Sequence, residues 1–257
     1  MTGWDFERYC RQLEAEATRL AADTREVVAG QKAGLPATTC PGWTLADVIG
    51  HTGGVHRWAE HMVRTRATGP ADREAVEVNF PDDPARYPGW LTDGAAALTA
   101  ELRAAGPQAP VWTFAPDRRA SWWARRMVHE TAVHRADVAL ALGRAPRFDP
   151  EQSADGIDEL LALLPYGRRT RETIRALPAE GQSIHLHATD CDGEWTIRLT
   201  QDGMTWERGH GKGTAAVRGP VGTLLLFAYG RAGAGEQALE VFGDRDLLAD
   251  WAVKTAL

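Results

Sequence analysis

Residues 121–137 read SWWARRMVHETAVHRAD, a stretch that is apolar and basic by turns and holds no glycine or proline. Its apolar side chains recur at three- and four-residue steps through Trp123, Met127, Ala132, Val133, Ala136 and on to Leu140. That period predicts an amphipathic helix. Glu130 and His134 stand four apart within it, so a carboxylate and an imidazole share one helix face, one turn apart. Such a pair can hold one side of a divalent cation and needs a third donor from elsewhere. His51 is the best candidate.

The rest of the chain supplies a frame for that stretch. Leu13, Ala17, Leu20, Ala21, Val27 and Val28 predict a first helix over 4–30, stopped by Gly30. A loop rich in glycine and proline follows. Thr44, with Asp47 three residues on, predicts a capping box that starts a second helix over 45–67. That helix carries His51, His56 and His61. It also contains Gly53 and Gly54, each costing about 1 kcal/mol against alanine in a helix interior. Two in succession predict a close approach, by another helix or by a ligand. A third helix is expected over 90–105. The fourth runs from the opening stretch to Leu142, with Gly143 as its cap. Four such helices predict a bundle.

Beyond Pro150 a fifth helix fits 151–164, and then the period changes. SIHLHA (183–188) and EWTIRLT (194–200) alternate as strands do, around a turn at Asp190–Gly193. Short strands are expected at 204–208, 214–218 and 239–242. Helices are expected at 220–229 and 244–253. This half reads as α+β on an antiparallel sheet. Two domains follow, 1–146 and 147–257.

Composition narrows the function. A net charge of −6 argues against a general nucleic-acid binder. The three cysteines, Cys10, Cys40 and Cys191, are widely spaced and form no CxxC pair, which suits a reducing cytoplasm. The N-terminus lacks the apolar core of a signal peptide, and no run reaches the ~18 apolar residues of a membrane span.

Zinc accepts imidazole and carboxylate, and catalytic zinc keeps a position open. His51, Glu130 and His134 meet that need if the two helices face one another. From spacing alone they could equally be ordinary polar residues of surface or core. His129, five residues from His134, points to another face. His56 and His61 fall off the turn that carries His51, and read as solvated or as neighbours of the site.

TTCPGWTLADVIGHTGGVHRWAEHMV and ARRMVHETAVHRADVALALG resemble the mycothiol-dependent maleylpyruvate isomerase family of actinobacteria, within the DinB-like group. IHLHATDCDGEWTIRL and VRGPVGTLLLFAYGR resemble that family's C-terminal domain, which is similar to sterol-carrier-protein-like α+β folds. The resemblance implies a DinB-like four-helix bundle holding a divalent metal, usually zinc, on His51, Glu130 and His134. Nickel, cobalt or iron also suit such donors. The resemblance also implies a catalytic arginine at Arg231, with Arg218 as the fallback, and mycothiol as cosubstrate, for whose thiol Gly53 and Gly54 would leave room next to His51. The activity implied is cis–trans isomerisation, or transfer of the thiol to a small electrophile, by a cytoplasmic monomer or homodimer. The competing reading is a non-catalytic module that keeps a metal for structure and binds a ligand or regulates.

Overall fold

The computed structural model describes residues 4–72, 74, 76–177 and 181–255 of the chain. The chain divides into two compact units, Met1–Pro146 and Arg147–Leu257.

The first unit is helical: α1 (Phe6–Ala29), α2 (Leu45–Arg64), α3 (Tyr87–Ala105) and α4 (Ala120–Ala141), with one 3-10 turn at Pro84–Arg86. Asp5 caps α1 by accepting from the Arg8 amide at 2.7 Å. The capping box of α2 is present: Thr44 Oγ1 accepts from the Asp47 amide at 3.2 Å, and Asp47 Oδ2 accepts from the Thr44 amide at 2.8 Å. These bonds satisfy donors that a helix start leaves open and fix where α2 begins, two turns before His51.

The fourth helix differs from the one-sided helix that its period predicts. It packs against α1, α2 and α3, and almost every residue from Ala120 to Ala139 is buried. A helix in that position must pair its charges internally, because an unpaired buried charge is expensive. Arg135 Nε accordingly meets Glu16 Oε2 of α1 at 2.6 Å with both side chains nearly sealed, and Arg126 pairs with Glu130 one turn along.

Gly53 of α2 serves helix packing, and Gly54 lies under the connection that leads to α3. A Cβ on Gly53 would lie 2.1 Å from the Trp90 ring of α3, and one on Gly54 would touch Val78 at 3.4 Å. Trp90 is itself fixed: its Nε1 donates to the Val78 carbonyl at 3.2 Å, and the Arg57 guanidinium lies 4.0 Å over its ring. The space expected for a thiol beside Gly53 is therefore filled by an indole. Of the two readings of a glycine pair, a close helix and a close ligand, the helix is the one realised.

The second unit holds α5 (Pro150–Leu163), α6 (Arg168–Arg175), β1 (Ser183–Ala188), β2 (Glu194–Thr200), β3 (Gly203–Arg208), β4 (Ala215–Gly219), α7 (Val221–Ala228), β5 (Glu240–Gly243) and α8 (Arg245–Thr255). The strands form one sheet in the order β3-β2-β1-β4-β5. It is mixed rather than antiparallel throughout, because β4 crosses to the far side of β1 and pairs with it in parallel. Helix α6 has no counterpart in the sequence reading. Its residues, RRTRETIR, show no apolar period, and Ile174 is its buried aliphatic anchor.

Register assigns each strand residue to a face. Ile184 pairs with Ile197 and Ala215, and Leu186 with Trp195 and Val217, all buried. Strand side chains alternate, so His185, His187, Glu194 and Thr196 share the opposite face. A slip of one residue would exchange the two sets.

Gly53→Ala is expected to destabilise the chain by about 1–2 kcal/mol, overpacking against Trp90 outweighing the gain in helix propensity. A Cβ on Gly89, itself exposed in the first turn of α3, meets nothing within 4 Å, so Gly89→Ala should be neutral or stabilising by up to about 1 kcal/mol. Urea denaturation of both variants checks the contrast.

Candidate metal centre

The site is assembled from α2, α4 and the loop that leads into α2. Arg126, Glu130 and His134 lie at four-residue steps, so they form one stripe along α4. His51 faces that stripe from α2. Its Nε2 lies 3.0 Å from Glu130 Oε1, and His134 Nε2 lies 3.3 Å from the same oxygen. The two imidazoles meet edge to face with centroids 4.9 Å apart. The three residues named from sequence are thus brought together, with one donor atom from each within 4.8 Å of the others. Donors bound tetrahedrally at 2.0–2.1 Å stand roughly 3.3 Å apart, so these spacings fit a cation of zinc size.

Four residues that sequence reading did not single out complete the arrangement. Asp137, sealed from solvent, accepts from His134 Nδ1 at 2.9 Å. That contact leaves His134 Nε2 facing Glu130, the orientation that a carboxylate partner gives a metal-ligating histidine. Asp137 also accepts from Thr39 Oγ1 at 2.6 Å and from Cys40 Sγ at 3.3 Å, which ties the TTCPGW loop to α4. Trp43 of that loop packs against both imidazoles, 4.9 Å from the His51 ring and 6.2 Å from the His134 ring. Arg126 pairs with Glu130 Oε2 and leaves Oε1 to the histidines. The spacing R-x-x-x-E-x-x-x-H-x-x-D held the signal for Arg126 and Asp137. Trp43 and Thr39 had none.

Charge is balanced inside this cluster. Burial opposes ionisation of Glu130, but the Arg126 cation and hydrogen bonds from His134 and His51 outweigh it and hold the carboxyl well below the usual carboxylate range. Burial likewise opposes charging of His134. The hydrogen bonds to Asp137, Cys40 and Glu130 win, and its imidazole is pushed well above its ordinary 6.5.

The other histidines of this unit stand elsewhere. His56 is fully buried and bonds Thr131 Oγ1 at 2.8 Å. Burial and the nearby Arg57 charge lower it to about 4, so it is neutral and not solvated. His129 and His61 join no donor cluster among the described residues. Arg231, in the second unit, sits just past the end of α7. Its Nη1 donates to the Tyr229 carbonyl at 2.9 Å. Arg218 lies on β4 and pairs with Glu240 at 3.1 Å.

The chain matches the mycothiol maleylpyruvate isomerase N-terminal domain over residues 13–139 and the corresponding C-terminal domain over residues 151–250. It belongs to the mycothiol maleylpyruvate isomerase family. Two solved structures share its fold. One is the mycothiol-dependent maleylpyruvate isomerase, at 14% identity and a TM-score of 0.58, with 93% of each chain covered. The other is a histidine-to-alanine mutant of that isomerase, at 14% identity, a TM-score of 0.59 and the same coverage. No curated protein matches the chain by sequence. Among the described residues no helix is long and apolar enough to cross a membrane.

The raised folded-state pKa of His134 carries a sign. The stability it contributes is full below about 6.5 and is lost as pH rises through the elevated value. In metal-free protein, Asp137→Asn should cost about 1–3 kcal/mol near pH 6. The gap from wild type should narrow as pH is raised, read from urea midpoints across the range. A gap that widens with pH would contradict the assignment.

Proposed function

We propose that this chain is a metal-dependent, thiol-dependent enzyme. Its metal centre is His51, Glu130 and His134, and its substrate is a small electrophile with an activated double bond. The single observation that carries the reading is the convergence of those three donors with no fourth His, Cys, Asp or Glu within 4.8 Å of all three among the described residues, Cys40 and Asp137 grouping with His134 alone. A cation held by three protein donors keeps a position for a ligand, whereas a structural site closes its sphere. Asp137 and Arg126 are the positioning residues, Asp137 through His134 and Arg126 through Glu130.

Zinc or a related cation bound there would favour the thiolate form of a coordinating thiol at neutral pH. The chain's own thiols are poorly suited to the role. Burial pushes Cys10 up to about 12 and raises Cys191, and Cys40 is turned toward Asp137. The nucleophile is then an external low-molecular-weight thiol, for which family membership favours mycothiol. The metal is taken to be zinc from donor type.

The reaction this chemistry serves is reversible addition. The thiolate sulfur bonds to one carbon of a cis double bond conjugated to a carbonyl, and the electron pair moves to the carbonyl oxygen as an enolate. The former double bond rotates. Collapse of the enolate expels the thiolate and leaves the trans isomer. Capture of the adduct by a proton instead completes a thiol transfer. Arg231 is the residue we assign to the substrate carboxylate and the enolate charge, on the resemblance of the AYGR segment, with Arg218 as the alternative. Three free cysteines are consistent with a reducing cytoplasm.

With mycothiol and maleylpyruvate, His51→Ala and Glu130→Gln should each lower turnover at least about 100-fold. Arg231→Ala should lose a comparable factor, with partial rescue in Arg231→Lys. Mycothiol-dependent turnover of another electrophile with the same losses supports transfer. No thiol-dependent turnover of any substrate in a panel of activated alkenes favours the non-catalytic, ligand-binding or regulatory module.

A further inference from the structure

The face of the second unit's sheet turned away from its apolar core carries a cluster that the reaction above does not use. His185 and His187 stand two apart on β1, so they share a face. On β2, Glu194 pairs with His187 and Thr196 with His185 in the ladder. His210 follows β3 and brings its ring to 5.6 Å from that of His185. Glu194 is the centre of the group. Its Oε2 lies 2.8 Å from His210 Nδ1 and 3.1 Å from His185 Nε2, and its Oε1 lies 3.4 Å from His187 Nδ1. One donor atom from each of the four residues falls within 4.8 Å of the others.

We infer that His185, His187, Glu194 and His210 form a second divalent-cation site of zinc type, separate from the helical triad. Hydrogen bonding around Glu194 accounts for His210 but not for His185. That residue is 5% exposed, and its Nε2 is sealed from water and makes no hydrogen bond among the described residues. Glu194 Oε2 is near enough at 3.1 Å but lies off the bonding direction. A buried imidazole nitrogen aimed into a group of donors and left unbonded is what a cation would satisfy.

The backbone is laid down to bring His210 there. It sits in the run Gly209-His210-Gly211-Lys212-Gly213. A Cβ on Gly211 would come within 2.6 Å of Thr196 Oγ1, and one on Gly213 within 2.9 Å of the His185 amide nitrogen. Only residues without a side chain let this segment lie so close to β1 and β2. Arg218, opposite His187 on β4, is held by Glu240 at 3.1 Å, so its charge is partly answered there.

Three imidazoles and one carboxylate are zinc donors, and four protein ligands close a tetrahedral sphere. The site is therefore a structural one. It staples β1 and β2 to the segment leaving β3 and leaves no position for substrate. Metal bound to the folded form alone raises the melting temperature by mass action.

The test uses the full chain, stripped with chelator and dialysed against zinc ions alone. The His51→Ala/His134→Ala chain is expected to retain about one zinc per chain and to melt at a higher temperature with zinc than without. Adding His187→Ala/His210→Ala should abolish both. His187 is half-buried and His210 exposed, so their loss spares the core, and far-UV circular dichroism checks the fold. Placed in the wild-type chain, His187→Ala/His210→Ala should lower the zinc content by about one and leave thiol-dependent turnover unchanged. Cobalt offered to the His51→Ala/His134→Ala chain should give the visible absorption of tetrahedral coordination. Loss of all zinc on removing the helical pair, or unchanged zinc after replacing His187 and His210 in the folded wild-type chain, overturns the second site. Failure of the helical triad reads differently, as zinc unchanged by His51→Ala/His134→Ala and lost with His187→Ala/His210→Ala.

Discussion

A carboxylate sealed from water needs partners, and Asp137 draws three from two places. His134 comes from its own helix, and Thr39 and Cys40 from the loop before α2. Leaving a buried polar group short of a hydrogen-bond partner costs about 1–3 kcal/mol, so the three contacts lock together. One sets the face that His134 presents. The others fix the TTCPGW loop, whose Trp43 packs on both imidazoles and whose end is the capping box that starts α2. The position of His51 opposite Glu130 follows from that chain of constraints. Glu130, the residue that both histidines face, is held in turn by Arg126.

Much of this frame was legible in the sequence, for physical reasons that can be named. The strand alternation at 183–188 and 194–200 survives in the structure because one face packs an apolar core and the other carries polar side chains. The Thr44–Asp47 box was legible because capping is local. The pair of Glu130 and His134 was legible because a helix brings residues four apart together whatever surrounds it. His51 could be named as a candidate, but spacing along the chain holds nothing about which helices face each other.

What failed depended on tertiary context. The opening stretch has an amphipathic period yet is buried on nearly all sides, since its charged residues find partners on α1 and within α4. The glycines of α2 were open to two explanations, and only the position of Trp90 separates a packed indole from a ligand. The parallel pairing of β1 with β4 arises from a crossover that strand patterns do not encode. Helix α6 lacks the apolar period that marks a helix, and contacts beyond its own sequence hold it.

The two sites draw on the same donors with different outcomes. In the helical unit three donors meet, which would leave a bound cation a position open and is the basis for proposing it as reactive. On the sheet three imidazoles meet around one carboxylate, four donors in all, which is the basis for reading it as structural. The central claim concerns the first. Crystals of the full chain grown with zinc, with diffraction recorded on both sides of the zinc absorption edge, test it directly. An anomalous peak about 2.0–2.2 Å from His51 Nε2, His134 Nε2 and a Glu130 oxygen is the expected result. Zinc located elsewhere in the molecule, with no peak among these three residues, would contradict the account.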